Sequence, residues 1–305
     1  MKQVIVIGSA NYDIIFKVSS LPESGETLAA NEILKRAGGK GANQAVQLAK
    51  LGVETYFVGC VGNDEAGTII TKELVKYGVH TDFLRKVSES TGMGIVHSLP
   101  DGSVFATISK GANYKITKED IDAAEECIKK SEYMLLQLEI PYDVVVYAME
   151  KAEKYGVKVV LNAAPAGELP EGVMSKVDYL AVNEVEAGYY LQKEIRDMET
   201  AIKLLPEFRN KMNSAMTVIC TLGKEGAVIC GDYCAKIFPA KTDVLETTGA
   251  GDSFLGGFVY SLCENKNDEE AGKFASYCSA VTISSVGAQE SMPNLVEIVN
   301  KFGKI

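Results

Sequence analysis

The feature that most constrains the fold is a regular alternation of apolar, strand-like runs with helical patterns from residue 117 onward. The predicted elements are a helix over 117–130, a strand over 133–139, a helix over 142–155, strands over 157–162 and 178–182, and a helix over 184–192. The first strand, Val4–Ile7, is continuously apolar, as expected of a strand buried on both faces. The pattern predicts an α/β fold with a doubly wound, mainly parallel sheet flanked by helices, whose ligands bind at the carboxyl ends of the strands.

Two other segments have the character of exposed antiparallel strands. Residues 83–109 alternate apolar and polar side chains around Asp101-Gly102, a dipeptide typical of hairpin turns. Residues 23–36 mix polar residues with short apolar runs, as a hairpin outside the main sheet would. We therefore predict a single domain over residues 1–305, with a small β-sheet lid formed by about 14–36 and 83–110.

Composition excludes several classes of protein. With 47% hydrophobic residues in a chain of 305, a large core can be buried. The 41 acidic residues against 31 basic residues argue against binding to nucleic acid or to a membrane surface. A signal-peptide pattern and an apolar run of membrane-spanning length are both missing from the sequence, so we expect a cytoplasmic protein.

The seven cysteines are scattered and lie mostly in apolar runs. This distribution predicts reduced thiols in the core rather than a disulfide framework. Cys230 and Cys234 have a CxxxC spacing in a hairpin-like segment, but two further zinc ligands at suitable spacing are missing. We expect these two side chains to serve core packing.

A glycine-rich segment precedes a helical pattern that stops at Gly52. Its sequence, AGGKGANQ over residues 37–44, lets a ligand approach the backbone closely, while Lys40 and Asn43 supply hydrogen-bond donors. A polyhydroxylated ligand would suit such a site. The segment lacks the spacing of a Walker A loop, and residues 249–254 lack the third glycine of a dinucleotide-binding fingerprint, so a P-loop NTPase and a dehydrogenase are disfavoured.

A second glycine-rich segment opens an apolar helical run near the C-terminus. Gly249, Ala250 and Gly251 are small enough for their backbone N–H groups to converge on one anion. Asp252 would repel an anion bound directly to it, so we expect it to take a proton from a hydroxyl that attacks phosphorus. The alternative is a first-turn acid that only stabilises the helix dipole. Together with the first glycine-rich segment, the arrangement favours a kinase.

Polar residues also follow several predicted strands. They are Asn11 and Asp13 after the first strand, and Glu139, Asn183 and Thr221 at the ends of later strands. The sequence NEVE over 183–186 places an amide and two acids at a helix start, where a hydrated magnesium ion can be held. Helix capping is the alternative there, and we expect it to account for Glu184. The glycine turn at Gly223 can lie against a nucleotide or be a bare turn.

The chain resembles the ribokinase-like (pfkB) carbohydrate kinases along essentially its whole length. The resemblance is carried by AGGKGANQ at 37–44, QLE at 137–139, NEVE at 183–186, TLG at 221–223, TTGAGDSF at 247–254 and GAQES at 287–291. It implies a parallel sheet wrapped by helices, with a small β lid that closes the sugar site and forms a homodimer interface. The implied activity is phosphorylation of D-ribose at its 5-hydroxyl by ATP.

The resemblance also implies a role for each matching residue. Asp252 would be the base, and the backbone of Gly249, Ala250 and Gly251 the anion hole. The residues that would hold the sugar are Asn11, Asp13, Gly39, Lys40, Asn43 and Glu139. Those that would contact ATP are Asn183, Thr221, Gly223 and Gly251. Glu186 would bind magnesium through water, and a potassium ion would be held by Glu246, Thr248, Thr282, Ser285, Gly287 and Ser291.

Two positions and one segment depart from the family pattern. Glu246 is one methylene longer than the aspartate usual in ribokinases, and Ser285 replaces an arginine, although the implied ligand there is a backbone carbonyl. The lid segment 101–104 lacks the acidic and asparagine residues common after its turn. These departures bear on the potassium site and on the identity of the sugar.

Two further functions stay open. A related kinase could act on deoxyribose, another sugar or a nucleoside, but a nucleoside kinase needs an aromatic shelf, and the lid offers Met93, Ile95 and Val96 instead. An inactive sugar-binding regulator on the same scaffold is the alternative from another class of protein. Retention of Asp252 with all three small residues of the anion hole weighs against it.

Overall fold

The computed structural model describes residues 2–100, 104–170 and 172–303, which form thirteen strands and ten α-helices. The strands are β1 (Gln3–Ile7), β2 (Asn11–Lys17), β3 (Glu32–Gly38), β4 (Glu54–Gly62), β5 (His80–Val87), β6 (Gly92–Ser98), β7 (Val104–Ser109), β8 (Tyr133–Gln137), β9 (Lys158–Asn162), β10 (Tyr179–Asn183), β11 (Thr217–Thr221), β12 (Ala227–Cys230) and β13 (Cys234–Ile237). The helices are α1 (Lys40–Lys50), α2 (Glu65–Lys76), α3 (Lys118–Ala123), α4 (Glu125–Ile128), α5 (Tyr142–Tyr155), α6 (Glu184–Leu191), α7 (Met198–Met212), α8 (Ala250–Cys263), α9 (Asp268–Thr282) and α10 (Leu295–Phe302).

Nine strands form the larger sheet, in the order β13-β12-β11-β10-β9-β8-β1-β4-β5. The strands from β11 to β5 pair in parallel, and the hairpin β12–β13 adds two antiparallel strands at one edge. The predicted α/β fold with a mainly parallel sheet is confirmed. Because the parallel strands share a direction, the ends of β10 and β11 meet at one edge of the sheet, with Asn183 beside Thr221.

The core lies on both faces of this sheet. Strand β1 sends Ile5 and Ile7 into one apolar cluster and Val4 and Val6 into the other, and all four side chains are fully buried. Successive side chains of a strand point to opposite faces, so a continuously apolar strand needs cover on both sides. Helices α5 and α7 cover the first face, and α1, α8 and α9 cover the second.

The small sheet has four strands in the order β3-β2-β6-β7. It differs from the predicted lid at both ends. Strand β5, which contains residues 83–87, pairs with β4 at the edge of the large sheet, where its mixture of exposed and partly buried residues gives the same sequence pattern as a hairpin strand. In the other direction the small sheet extends back to Asn11 and forward to Gly38. The turn predicted at Asp101-Gly102 lies outside the described residues.

One helical prediction needs correction, and one helix of the structure was not predicted. The helix predicted over 117–130 is divided at Ala124 into α3 and α4. The sequence patterns do not identify α7, which carries Pro206 in its interior, because proline is normally a helix breaker. Within the described ranges, none of the helices is both long and apolar enough to cross a membrane.

One pair of cysteines contradicts the expectation of reduced thiols. Cys230 ends β12 and Cys234 begins β13, and as direct cross-strand neighbours in this short hairpin they form a disulfide. The other five cysteines are free and buried, as expected. The CxxxC spacing alone did not predict the bond because it does not show that the two strands pair in this register.

Candidate active site

A cavity of about 740 Å³ lies between the ends of β10 and β11 and the start of α8. All four residues predicted to contact ATP line it, namely Asn183, Thr221, Gly223 and Gly251. Its apolar walls, which sequence reasoning did not identify, include Ile219, Ile237, Val244 and Ile283. A volume of this size, with apolar walls and a few polar groups, suits a nucleotide-sized ligand.

The predicted anion hole forms the N-terminus of α8. Gly249 has a left-handed backbone with φ of 77°, which favours glycine, and a Cβ atom there would lie in tight contact, 3.2 Å from the Cβ of Ala288. The N–H of Ala250 donates to the carbonyl of Thr247 at 3.2 Å. Gly251 borders open space, since no described atom beyond its chain neighbours and the adjacent backbone of α8 lies within 4 Å of a Cβ built there. An anion can therefore approach the first turn of the helix from this side.

The side chain of Asp252 is held by two amides from α1. Nδ2 of Asn43 donates to Oδ2 at 2.9 Å, and Nε2 of Gln44 donates to Oδ1 at 3.0 Å. These amides are oriented in turn, because Gln289 donates to Asn43 at 3.1 Å and Gln137 donates to Gln44 at 2.6 Å. Burial raises the pKa of Asp252 despite the opposing hydrogen bonds. The fixed orientation and raised basicity suit a general base.

Lys40 begins α1 and lines the same cavity as Asp252. Burial opposes its charge, but the pKa of Lys40 is nevertheless raised by nearby carboxylates, those of Asp252, Glu139, Glu186 and Asp13. Lys40 therefore stays protonated where the predicted sugar and ATP residues meet. Gly39 permits this approach of the chain, since a Cβ there would lie 2.6 Å from the backbone nitrogen of Asn11.

Asp13 lies on β2, between Arg36 of β3 and Gly94 of β6. Glycines flank its carboxylate, and a Cβ would lie 2.1 Å from Oδ2 if built on Gly38 and 2.3 Å from Oδ1 if built on Gly94. Burial, followed by the carboxylates of Glu139 and Asp252, raises the pKa of Asp13 to about 6. The structure thus brings the predicted sugar residues close to the predicted base.

Two buried residues that the sequence did not single out orient the remaining sugar-binding candidates. Asn113 donates to Oδ1 of Asn11 at 2.7 Å, and its own Oδ1 accepts from the N–H of Ala10 at 2.9 Å. Ser9 donates to Oε2 of Glu139 at 2.5 Å. Asn113 lies in the short 3-10 helix Gly111–Lys115, 102 residues from Asn11, and no local sequence signal connects the two.

The start of α6 forms a capping box that uses Glu186. Oδ1 of Asn183 accepts from the N–H of Glu186 at 2.8 Å, and Oε2 of Glu186 accepts from the N–H of Asn183 at 2.9 Å. The capping box thus uses Glu186, while Glu184 is a further acid in the first turn of the helix. Glu186 also lines the cavity, and burial raises its pKa.

No cluster of three or more metal-ligating side chains occurs in the part of the chain that the structure describes. The residues nevertheless fit magnesium in the form that nucleotide sites use, since such an ion takes one or two carboxylates and completes its shell with phosphates and water. The carboxylate of Glu186, lining the nucleotide-sized cavity, is the group that can supply this contact.

The loop implied to hold potassium is assembled, but its acidic side chain is paired. The N–H of Leu245 donates to the carbonyl of Ile283 at 2.8 Å, and Oγ of Ser291 donates to the carbonyl of Gly287 at 2.6 Å. Thr248 and Ser285 are exposed and Thr282 is buried. The charge of Glu246 is matched by Arg36, whose Nη1 lies 3.3 Å from both carboxylate oxygens. This donor set does not fit a cation bound at Glu246.

Comparisons with known proteins agree over nearly the whole chain. The pfkB family carbohydrate kinase profile matches residues 1–295. The ribokinase of Haemophilus influenzae is 35% identical over 298 residues, covering 97% of both chains, and that of Schizosaccharomyces pombe is 33% identical over 314 residues, covering 99% of this chain and 98% of that protein. The structure of Arabidopsis thaliana ribokinase complexed with ribose and ATP matches with a TM-score of 0.87, at 31% identity and with 98% of each chain covered. Because the family profile matches residues 1–295 and these relatives are covered almost completely, the chain belongs to the pfkB family of carbohydrate kinases.

Proposed function

We propose that this protein is an ATP-dependent kinase that phosphorylates D-ribose at its 5-hydroxyl, giving D-ribose 5-phosphate and ADP. The observation that carries the proposal is the position of Asp252. Its side chain lines the nucleotide-sized cavity and accepts a hydrogen bond from Asn43, one of the predicted sugar-binding residues. A general base must lie between the bound sugar and the ATP phosphates to take the proton of the attacking hydroxyl. The ribokinase relatives, one of them solved with ribose and ATP, support D-ribose as the acceptor.

Different residues of this chain have different roles in the proposed reaction. Asp13, Asn43 and their neighbours hold the sugar hydroxyls, and Asp252 accepts the proton from the attacking oxygen. Lys40 lowers the negative potential of the site, and the N-terminus of α8 beside Gly251 stabilises charge on the transferring phosphoryl group. Closure of the small sheet over the sugar would exclude water from the reaction.

Magnesium is proposed to be held by the ATP phosphates, by water and by Glu186. Its chemistry there would be to neutralise charge on the phosphates. A cytoplasmic location remains a prediction from the sequence, whereas the pairing of Glu246 with Arg36 argues against the predicted potassium activation. The guanidinium of Arg36 competes with potassium, because it already contacts the carboxylate of Glu246.

The proposal is tested by measuring ADP formation with a panel of pentoses, hexoses and nucleosides. We expect the highest kcat/KM with D-ribose, and phosphorus NMR of the product should show the phosphate coupled to the two protons on carbon 5. Preference for 2-deoxyribose would favour the second candidate, which the deoxyribokinase of Salmonella typhi supports at 32% identity over 303 residues. Calorimetric binding of ribose without turnover in any mixture would indicate the inactive regulator.

We also propose a homodimer through the small sheet. On the face turned away from Asp13, the residues Ile33, Phe16, His97 and Phe105 form one row across its four strands. The outer two are apolar and exposed, Ile33 at 53% and Phe105 at 49%. Light scattering should show a dimer that Phe105→Glu dissociates, while Val296→Glu, in the distant helix α10, leaves it intact. A monomeric parent protein would contradict the proposal.

A further inference from the structure

Arg36 and Glu246 join the small sheet to the loop that leads into the anion hole. Nη1 of Arg36 lies 3.3 Å from Oε1 and from Oε2, so one nitrogen sits symmetrically between the two carboxylate oxygens. The backbone N–H of Gly287 donates to Oε2 at 3.1 Å. Both side chains are largely shielded, with 15% of the arginine and 21% of the glutamate exposed. The pair is therefore part of the packed structure rather than a surface contact.

The register of the small sheet directs Arg36 toward the site. Arg36 is the direct cross-strand neighbour of Asp13, so the two side chains lie on the same face. Its neighbour Lys35 lies on the opposite face and is exposed. A guanidinium is charged at every physiological pH, so a positive charge is always present at this point when the small sheet is in place.

The position of Glu246 explains why its charge needs a partner. It lies three residues before Gly249, and its contact with the N–H of Gly287 ties this loop to the segment whose Ala288 packs against Gly249. An unpaired carboxylate beside an anion-binding helix terminus would repel the phosphates and free the loop. A second cation placed on this carboxylate would in turn be repelled by the guanidinium a few ångströms away.

We propose that Arg36 is a built-in counter-ion for Glu246, which replaces a bound monovalent cation and makes the kinase independent of potassium. The catalytic consequence rests on the proposed function. The pairing of the Glu246 carboxylate with Arg36, in contrast, depends on the fold alone. Arg36 acts through Glu246 and the loop, and is thus a positioning residue. Because it comes from the small sheet, it also couples the sugar-binding strands to the anion hole.

The test compares the parent protein with Arg36→Met, which removes the charge and keeps an unbranched side chain. Arg36→Lys is the conservative variant, since a single ammonium can reproduce the contact of one nitrogen with both oxygens. Lys35→Met is the matched control, because it removes the same charge from the other face of β3. Each protein is measured in potassium chloride and in tetramethylammonium chloride, at a fixed ionic strength of about 0.1 M so that screening is constant.

Two readouts are used, the initial rate with ribose and ATP and the melting temperature without substrates. The parent, Lys35→Met and Arg36→Lys should differ less than about twofold in rate between the two salts. Arg36→Met should lose about tenfold or more in tetramethylammonium, recover in potassium, and gain about 2 °C or more in melting temperature from potassium alone, because only this variant leaves the carboxylate free to bind the ion.

Potassium activation of the parent, together with a potassium-specific rise in its melting temperature, would overturn the inference. So would an Arg36→Met protein that is fully active in tetramethylammonium. If Arg36→Met does not fold, comparing the parent protein in the two salts still tests whether the kinase is independent of potassium. If the parent has no turnover in either salt, the proposed function fails, while the melting temperatures still show whether potassium binds.

Discussion

Replacing Asp13 by asparagine is expected to stabilise the protein while weakening its binding of ribose. The carboxylate lies between Gly38 and Gly94, which leave just enough room for it, and asparagine has nearly the same shape. The N–H of Gly94, which slightly opposes the rise in the pKa of Asp13, can face an amide oxygen as well as a carboxylate oxygen. The substitution therefore removes the charge with little change in packing.

The magnitude follows from the raised pKa of Asp13. Burial, then Glu139 and Asp252, raise it from 3.8 to about 6, and a difference of one pKa unit corresponds to about 1.4 kcal/mol. Ionised Asp13 thus lowers the free energy of unfolding by at most about 3 kcal/mol, and by about 1 to 2 kcal/mol once solvent screening of this half-buried group is allowed for.

The sign of the pH dependence is fixed by the same shift. Because the folded-state pKa is higher than the unfolded one, the native protein binds the proton more tightly. The destabilisation is complete above about pH 6, declines as the pH falls and is lost below about pH 4. The gain from Asp13→Asn should consequently be about twice as large at pH 8 as at pH 5.

Urea unfolding at the two pH values, followed by circular dichroism, measures this gain. Asp82→Asn, in the exposed part of the edge strand β5, is the matched control and should show no such difference. An Asp13→Asn protein that is less stable than the parent at pH 8, or equally stabilised at both pH values, would refute the reasoning. Calorimetry should show ribose binding weakened about tenfold or more through loss of a charged acceptor, with ATP binding unchanged. Equal weakening of both ligands would instead indicate damage to the fold.

Three further predictions concern the anion hole and the hairpin. Asp252→Asn should lower kcat by about 100- to 10,000-fold with an unchanged circular dichroism spectrum, and near-normal turnover would remove Asp252 from its role as base. Gly249→Ala should destabilise the protein by about 1 kcal/mol or more through its left-handed backbone, whereas Gly251→Ala should fold like the parent and lose turnover because its methyl group fills the space open to phosphate. Dithiothreitol, by reducing Cys230–Cys234, should lower the free energy of unfolding by at most about 2 kcal/mol because the closed loop is so short, and a larger loss in a Cys230→Ser control would contradict this.

Much of the fold and the central part of the candidate site could be predicted from local patterns. Continuous apolar runs such as Val4–Ile7 require cover on both faces, and their alternation with helical patterns leaves a parallel sheet as the natural arrangement. The glycines before Asp252 mark a helix terminus that can accept an anion. Each of these features lies within a few consecutive residues, so the local sequence is enough to predict it.

The tertiary structure alone decided which distant residues meet. The pairing of Arg36 with Glu246, the support of Asn11 by Asn113 and the disulfide at Cys230 each depend on strand register or on segments that pack together from far apart in the chain. Strand β5 shows the same limit, because an edge strand of the large sheet and a strand of a small exposed sheet can share one pattern of apolar and polar residues. Periodicity shows on which face of its own helix or strand a residue lies. A contact between two elements depends instead on how those elements are positioned by packing of the core.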